Sequence, residues 1–399
     1  MFSKGSMVLA YSAGLDTSCI LVWLKEQGYD IIAYLANVGQ KEDFKEARKK
    51  ALNLGSKKVF IEDVSKEFVE EFIWPYEDCY LLGPSLPRPY ITRKQVEIAQ
   101  WEGAKYVSHS AMGKGNDQVW FELACYSLAP QIKVIAPGRI PEFYNQSKGR
   151  SDLMEYAEKH GIPIPVTLKH PWNMDENLMH ISHEGWNLGE PQEPEAPSGL
   201  YMKIQDLAKA PNTPNIFKTE GVPVKVTSIK DGTTHQTSLV LLHVTWNEVA
   251  GKHSVGHIDI VENRFIEMNI CKTPAGTILY HPHLDIEGFA MEQEVRKIKQ
   301  GLGLKFAELV YTGFWHNPQC DFAHHCIAKS QDRVEGKVQV SIFKGQVYIL
   351  CQEPPLSLYS GEQVSMNVEG NDEPASRLIN INSLRMKEYH HLQSKVTAK

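Results

Sequence analysis

The chain has 399 residues, with 42 Lys and Arg against 48 Asp and Glu, a formal net charge of −6, 42% hydrophobic and 23% charged residues. That length supports two or three domains with ample core, so a disordered chain or a small disulfide-stapled one is excluded. The mild acidity removes the overall electrostatic case for nucleic acid or an anionic membrane as partner.

Short β-branched runs alternate with helix-period segments from the start: a strand at 8–11, a helix at 17–27, a strand at 31–36, a helix at 42–54 and a strand at 58–64. This is βαβαβ punctuation. Gly28 and Gly55 fall where the helices should stop, and Lys25, Lys49 and Lys50 sit in last turns, where a cation is favoured by the helix dipole. The alternation continues with a helix near 93–102, a strand at 104–109, a helix from about Asp117, a strand at 132–137 and a helix ending at Gly161. Such an order predicts an α/β domain, a parallel sheet with helices on both faces.

Three prolines within 162–172 forbid a continuous helix there, and we place a domain boundary near Pro165. The organisation expected is 1–165, 166–365 and a C-terminal arm at 366–399. A Pro-rich stretch at 190–214 reads as an irregular surface excursion. The second half shows strands around 222–227 and 238–245, a helix at 246–253, a long helical stretch at 285–311, and the runs KVQVSIF and QVYILCQ joined by Lys344-Gly345. The last pair is a β-hairpin signal. Residues 383–399 are polar and helix-permissive, suited to a docked tail or an oligomer arm. The longest early apolar run, 20–24, is far below the ~20 residues that cross a bilayer. The 7 cysteines are scattered without a CxxC pair and read as reduced thiols, so a cytoplasmic location is expected.

The strongest chemical signal is Ser12-Ala13-Gly14-Leu15-Asp16-Thr17-Ser18, which follows the first strand and opens the first helix. Unpaired N–H groups at a helix N-terminus, the dipole and nearby hydroxyls make a phosphate site. The plain alternative is that Asp16, Thr17 and Ser18 merely cap the helix. A second polar glycine loop, Gly113-Lys114-Gly115-Asn116-Asp117-Gln118, follows the strand ending near His109. Both loops lie beyond the carboxyl ends of parallel strands, where ligands bind; a surface turn with an Asn or Asp cap is the alternative. No Gly-Lys pair is followed by Ser or Thr, so there is no Walker loop, and GLGLKF at Gly301 lacks the third glycine of a dinucleotide fingerprint.

The Ser-x-Gly-x-Asp-Thr-Ser loop resembles that of the N-type ATP pyrophosphatases. With AYLANVGQKEDF, TRKQVEIAQ, GKGNDQV, FELACYSLAPQIKVIAP, DENLMHIS, GVPVKV, VENRF and TPAGTILY, nearly the whole chain resembles the argininosuccinate synthase family. The resemblance implies a pyrophosphatase-type nucleotide-binding domain, a mixed α+β synthetase domain and a C-terminal helical arm. It also implies a reaction: ATP adenylates the ureido oxygen of citrulline, releasing pyrophosphate, and the aspartate amine displaces AMP from the citrullyl-adenylate to give argininosuccinate. Such a site mainly positions reactants and neutralises charge.

Carried over position by position, the match implies ATP contacts at Ala10, Tyr11, Ser12, Ala13, Gly14, Leu15, Asp16, Thr17, Ser18, Ala36 and Gly115. Aspartate contacts fall at Met112, Asn116 and Asp117, with Asp117 receiving the substrate ammonium. Substrate contacts also fall at Tyr80, Ser85, Trp120, Asn173, Ser182, Glu262 and Cys271, with Glu262 suited to a second ammonium. Asp16, Asn116 and Asp117 are the residues expected closest to the chemistry. Mg2+ is implied with ATP, held largely by phosphates and water and with no dedicated protein ligand. A homotetramer is implied as well.

This sequence departs from the family pattern at ligand positions: Ala13 stands for glycine, Met112 for threonine, Trp120 for arginine, Asn173 for serine and Cys271 for tyrosine. The chain is also shortened between Trp74 and Tyr76 and near Cys271. A left-handed backbone at Ala13 would cost about 1 kcal/mol, and each hydrogen bond lost with the arginine about 1.5–3 kcal/mol. Two readings follow: a working ligase of the family, or a relative that keeps the fold, nucleotide binding and assembly but turns over weakly or not at all. A tRNA thiolation or amidation enzyme would want a reactive cysteine pair or a basic face. Cys320, His324, His325 and Cys326 within one helix, and His281 with His283, fit no common zinc spacing.

Overall fold

The computed structural model describes residues 3–73, 82–110, 116–145, 149–163, 173–184, 202–220, 225–230, 232–235, 239–262 and 267–359, and runs of one to three positions between 379 and 394. The first half runs β1 (Ser6–Ala10), α1 (Leu15–Glu26), β2 (Asp30–Asn37), α2 (Phe44–Asn53), β3 (Lys58–Asp63), α3 (Ser65–Glu67), α4 (Leu82–Ser85), α5 (Pro87–Trp101), β4 (Tyr106–Ser108), α6 (Asn116–Leu128), β5 (Lys133–Ile135), α7 (Pro141–Tyr144) and α8 (Arg150–Lys159). Its strands form one parallel sheet in the order β3-β2-β1-β4-β5. The period-2 pattern divides the apolar side chains between two cores. Met7, Leu9, Ile31, Ala33 and Leu35 pack with α1 and α8 through Ile20, Leu24 and Leu153, while Val8, Ile32 and Tyr34 pack with α5 and α6 through Val96, Ala99 and Cys125.

The second half runs β6 (Asn173–Glu176), β7 (Ile181–Glu184), β8 (Asn215–Glu220), β9 (Lys225–Ser228), β10 (Thr234–His235), α9 (Leu239–Lys252), β11 (His257–Glu262), β12 (Glu267–Lys272), α10 (Pro274–Ala290), α11 (Gln293–Tyr311), α12 (Pro318–Ser330), β13 (Lys337–Phe343) and β14 (Gln346–Glu353). Two antiparallel sheets result, β11-β12-β7-β6 and β10-β9-β8-β13-β14. The hairpin expected at Lys344-Gly345 is β13 and β14, and both turn residues have positive φ, 42° and 83°, as a two-residue turn matched to strand twist requires.

Two expectations are corrected. The strand expected at 238–245 is instead part of α9, continuous with the helix expected after it. Trp246 and Ala250, one helical turn apart, both enter the core with Phe217 and Val340, and a short apolar run cannot by itself separate buried helix from buried strand. The helical stretch expected at 285–311 is two helices: α10 begins at Pro274, and the chain breaks at Met291 and Glu292. There the Glu292 carboxylate accepts from the Glu294 and Val295 amides at 2.9 and 3.1 Å, which satisfies the first turn of a new helix.

The turn between β6 and β7 joins the two halves. Asn177 Oδ1 accepts from the Met179 and His180 amides, both at 3.0 Å, and its Nδ2 donates to the Gly83 carbonyl at 3.2 Å. The Leu178 amide donates to the Val38 carbonyl at 2.7 Å, and Asn247 Nδ2 donates to the Leu178 carbonyl at 2.7 Å. Contact is close enough that a Cβ on Gly39 would lie 2.8 Å from Leu178 Cβ, and one on Gly83 would lie 2.3 Å from His180 Nδ1. These elements belong to one compact unit, Met1–Ser357, and Leu358–Lys399 forms a second, helical at its described positions beyond 378. The expected boundary near Pro165 and residues 190–201 of the Pro-rich stretch lie outside the described residues.

Candidate active site

The strand order reverses between β1 and β4, since β1 leads outward to β2 and β3 while β4 leads to β5 on the other side. That reversal opens a crevice beyond the strands' carboxyl ends. At its root the buried Gln95 amide donates to the Val8 and Ser108 carbonyls at 2.9 and 2.7 Å, bridging the two strands. Loop 11–14 descends from one lip, and Asn116 opens α6 on the other.

The first loop is a tight turn. Ala13 is left-handed, φ 54°, and its carbonyl accepts from Lys50 Nζ at 2.8 Å; burial lowers the Lys50 ammonium pKa. Gly14 is the N-cap of α1 and supplies no side-chain cap, so the capping alternative does not describe this helix start, and its first amides lack intrahelical acceptors. The Thr17 and Ser18 hydroxyls are buried and donate back to the Gly14 carbonyl at 3.4 and 2.6 Å. Tyr11 Oη reaches Ser18 Oγ at 3.2 Å and Ser12 Oγ reaches Thr17 Oγ1 at 3.3 Å, so these hydroxyls set the loop's shape. Ser12, Gly14 and Asp16 face solvent, and Leu15 and Ala13 pack on the core. Ala10 ends β1, and the Ala36 carbonyl near the end of β2 is held by Gln40 Nε2 at 2.8 Å.

On the opposite lip, Asp117 is gripped by a residue that sequence reasoning missed. Arg88, in the first turn of α5, donates through Nε and Nη2 to both Asp117 oxygens at 3.0 and 3.1 Å, and through Nη2 to Asp175 Oδ2 at 2.7 Å. Burial opposes the guanidinium charge, but the two carboxylates outweigh it and hold Arg88 protonated. Burial holds Asp175 above the usual carboxylate range despite Arg88. Behind this lip Glu122 accepts from Gln118 Nε2 at 2.9 Å and from Arg139 Nη2 at 2.5 Å. Burial would raise its pKa, but His109 at 3.7 Å, the hydrogen bond from Gln118 and the Arg139 charge bring it below the ordinary value.

Asp175 continues into the β11-β12-β7-β6 sheet. It pairs directly with Ser182 on β7, and Ser182 pairs with Cys271 on β12, so the three lie in one cross-strand row on one face. Ser182 Oγ is buried without a hydrogen-bond partner among the described residues. Ser85, fully buried, ends α4, the segment whose Gly83 carbonyl accepts from Asn177. Asn173 starts β6, two positions from Asp175, and Glu262 ends β11, beyond Ile258 that pairs with Cys271.

Trp120 is buried against Tyr311 at the end of α11. It is 3% exposed, donates from Nε1 to the Tyr311 carbonyl at 2.6 Å and stands edge-on to the Tyr311 ring, centroids 6.4 Å apart. Asn116 Nδ2 reaches Tyr311 Oη at 3.5 Å. Tyr80, Met112 and Gly115 lie outside the described residues. Among the described residues no group of three His, Cys, Asp or Glu side chains could hold a metal ion, and no helix is long and apolar enough to cross a membrane.

Comparison with known proteins covers the whole chain. The family model for the arginosuccinate synthase N-terminal HUP domain matches residues 6–163, and that for the arginosuccinate synthase C-terminal domain matches 172–389. The chain is 75% identical to argininosuccinate synthase of Homo sapiens over 100% of both chains, 63% identical to that of Xenopus laevis over 98% of both, and 59% identical to that of Danio rerio over 100% of this chain and 99% of the relative.

Proposed function

The chain belongs to the argininosuccinate synthase family, and we propose that the crevice between β1 and β4 carries that family's ATP-dependent ligation of citrulline to aspartate. The observation that carries this reading is the pairing of an α1 N-terminus whose N-cap is Gly14, without a side-chain cap, on one lip with Asp117 on the other. An anion seat and a cation seat thus face one crevice.

ATP when bound supplies the activation that turns the citrulline ureido oxygen into a leaving group. The loop from Ala10 to Ser18, with Ala36 and Gly115, would hold it, since the N-cap residue of α1, Gly14, supplies no side-chain cap. Mg2+ would ride on the phosphates and water. Asp117 would receive the aspartate ammonium, with Asn116 beside it, and Ser85, Ser182 and Cys271 would line the citrulline end with Glu262 at the strand terminus. In this division residues 1–165 bind nucleotide and supply Ser85, Asn116 and Asp117 to the substrates, 166–365 complete the substrate site and assemble, and 366–399 form the arm of a cytoplasmic homotetramer.

Trp120 favours a second reading, a relative that binds nucleotide but turns over weakly, because its indole is engaged with Tyr311 and offers no guanidinium to substrate. One assay separates the two: argininosuccinate and pyrophosphate formation by purified protein with Mg-ATP, citrulline and aspartate, against a no-citrulline control, with ATP binding on the same sample. Product above control supports the ligase. Binding without product supports the weak relative, and neither binding nor product overturns both.

A further inference from the structure

Arg88 is the one described guanidinium that grips a carboxylate from each half of the chain, Asp117 on α6 and Asp175 on β6. Its side chain is 15% exposed while that of Asp117 is 39% exposed, so the cation lies behind and the carboxylate opens outward. Both Asp117 oxygens accept from the planar fork, which fixes the carboxylate plane and leaves each oxygen further lone pairs. A lysine could not do this, being a point charge on a flexible stem. The third bond, to Asp175, ties that plane to the strand whose row includes Ser182 and Cys271.

We propose that Arg88 is a positioning residue for the amine substrate: clamped between Asp117 and Asp175, it aims the Asp117 carboxylate at the aspartate amino group and registers it against the citrulline row. The proposal rests on the reading of Asp117 as the ammonium seat. A purely structural ion pair makes a different forecast, since buried pairs add little stability over apolar replacements and have no reason to act on one substrate.

The test uses the full chain with Arg88→Met, Arg88→Lys and Asp175→Asn. Steady-state constants are measured for each of the three substrates, aspartate binding is followed by calorimetry with a non-hydrolysable ATP analogue, and urea midpoints are recorded. Loss of the fork should raise KM for aspartate about 10- to 100-fold, as misplacement of a substrate-orienting group does, with KM for ATP changed less than about twofold. Arg88→Lys should rescue only in part, and Asp175→Asn, which keeps the Asp117 pair, should show a smaller rise. Unchanged aspartate KM and affinity in all three variants overturn the clamp alone, as do equal rises for all three substrates. A parent chain that neither turns over nor binds aspartate overturns the ammonium seat itself, and the clamp with it. Should Arg88→Met fail to fold, Asp175→Asn and Arg88→Lys decide between these outcomes.

Discussion

Returning Trp120 to the arginine of the family pattern looks like a repair, yet the packing makes it a destabilising change. The indole is buried, its N–H satisfies the Tyr311 carbonyl, and its Cδ1 lies where a Cβ on Gly313 would meet it at 3.4 Å. Removing a buried tryptophan typically costs about 3–5 kcal/mol. Arginine would recover some of this: its stem covers apolar surface, it can donate to the same carbonyl, and a cation at the C-terminus of α11 is favoured by about 0.3–1 kcal/mol. The expected net loss for Trp120→Arg is about 2–3 kcal/mol, read as a lower urea midpoint at unchanged slope. Trp120→Phe keeps a ring and loses the donor, so a loss of about 1–2 kcal/mol is expected. An arginine variant as stable as the parent would refute the reasoning, because the indole would then not be what fastens α6 to α11. Ligase activity measured on the same arginine variant shows separately whether the side chain, once released, reaches substrate.

Other outcomes can be checked alongside. Ala13→Gly should leave stability within about 1 kcal/mol, relief of the left-handed strain offsetting glycine's entropy, whereas Ala13→Val should lose about 2 kcal/mol or more; equal midpoints for the two would show that residue 13 is not left-handed. Gly83→Ala places a Cβ against buried His180 and should cost about 1–3 kcal/mol, and raise KM for citrulline through Ser85; calorimetry and kinetics together check it. Burial depresses His180 to about 3, and burial with the nearby Lys272 charge depresses His183 to about 4. Their neutral forms therefore stabilise fully above the unfolded value of 6.5, and this stability falls with pH toward those folded values. At pH 5 His180 alone should cost about 2 kcal/mol, so a urea midpoint no lower at pH 5 than at pH 7.5 contradicts the burial.

The nucleotide half was legible because its signals are local. Strand, glycine turn and helix start fall within Ser6 to Ser18, and the Lys344-Gly345 hairpin declares itself in two residues. The β11-β12-β7-β6 sheet was not legible: NMDE and ISHE are short polar strands that form only when the chain supplies neighbours on both sides. Arg88 was missed for a related reason, since its partners lie 29 and 87 residues away and nothing near it in sequence marks an ion pair. Trp120 was located as a departure from the family pattern, but its burial against Tyr311 depended on α11, nearly 200 residues later in the chain.

The Asn177–His180 turn carries a consequence for how such a chain can vary. Its bonds run to main-chain carbonyls of the other half, at Val38 and Gly83, and it lies against two residues that have no side chain, Gly39 and Gly83. Drift in a sequence ordinarily changes side chains and leaves the main chain in place, so at this turn the positions least free to vary are the two glycines and Asn177, whose side chain makes the bond to Gly83. Hybrids assembled from the halves of different relatives should therefore tolerate drift at this turn when both glycines and Asn177 are kept, while the side-chain contacts elsewhere between the halves, Arg88 with Asp175 and Trp120 with Tyr311, have to be kept as matched pairs.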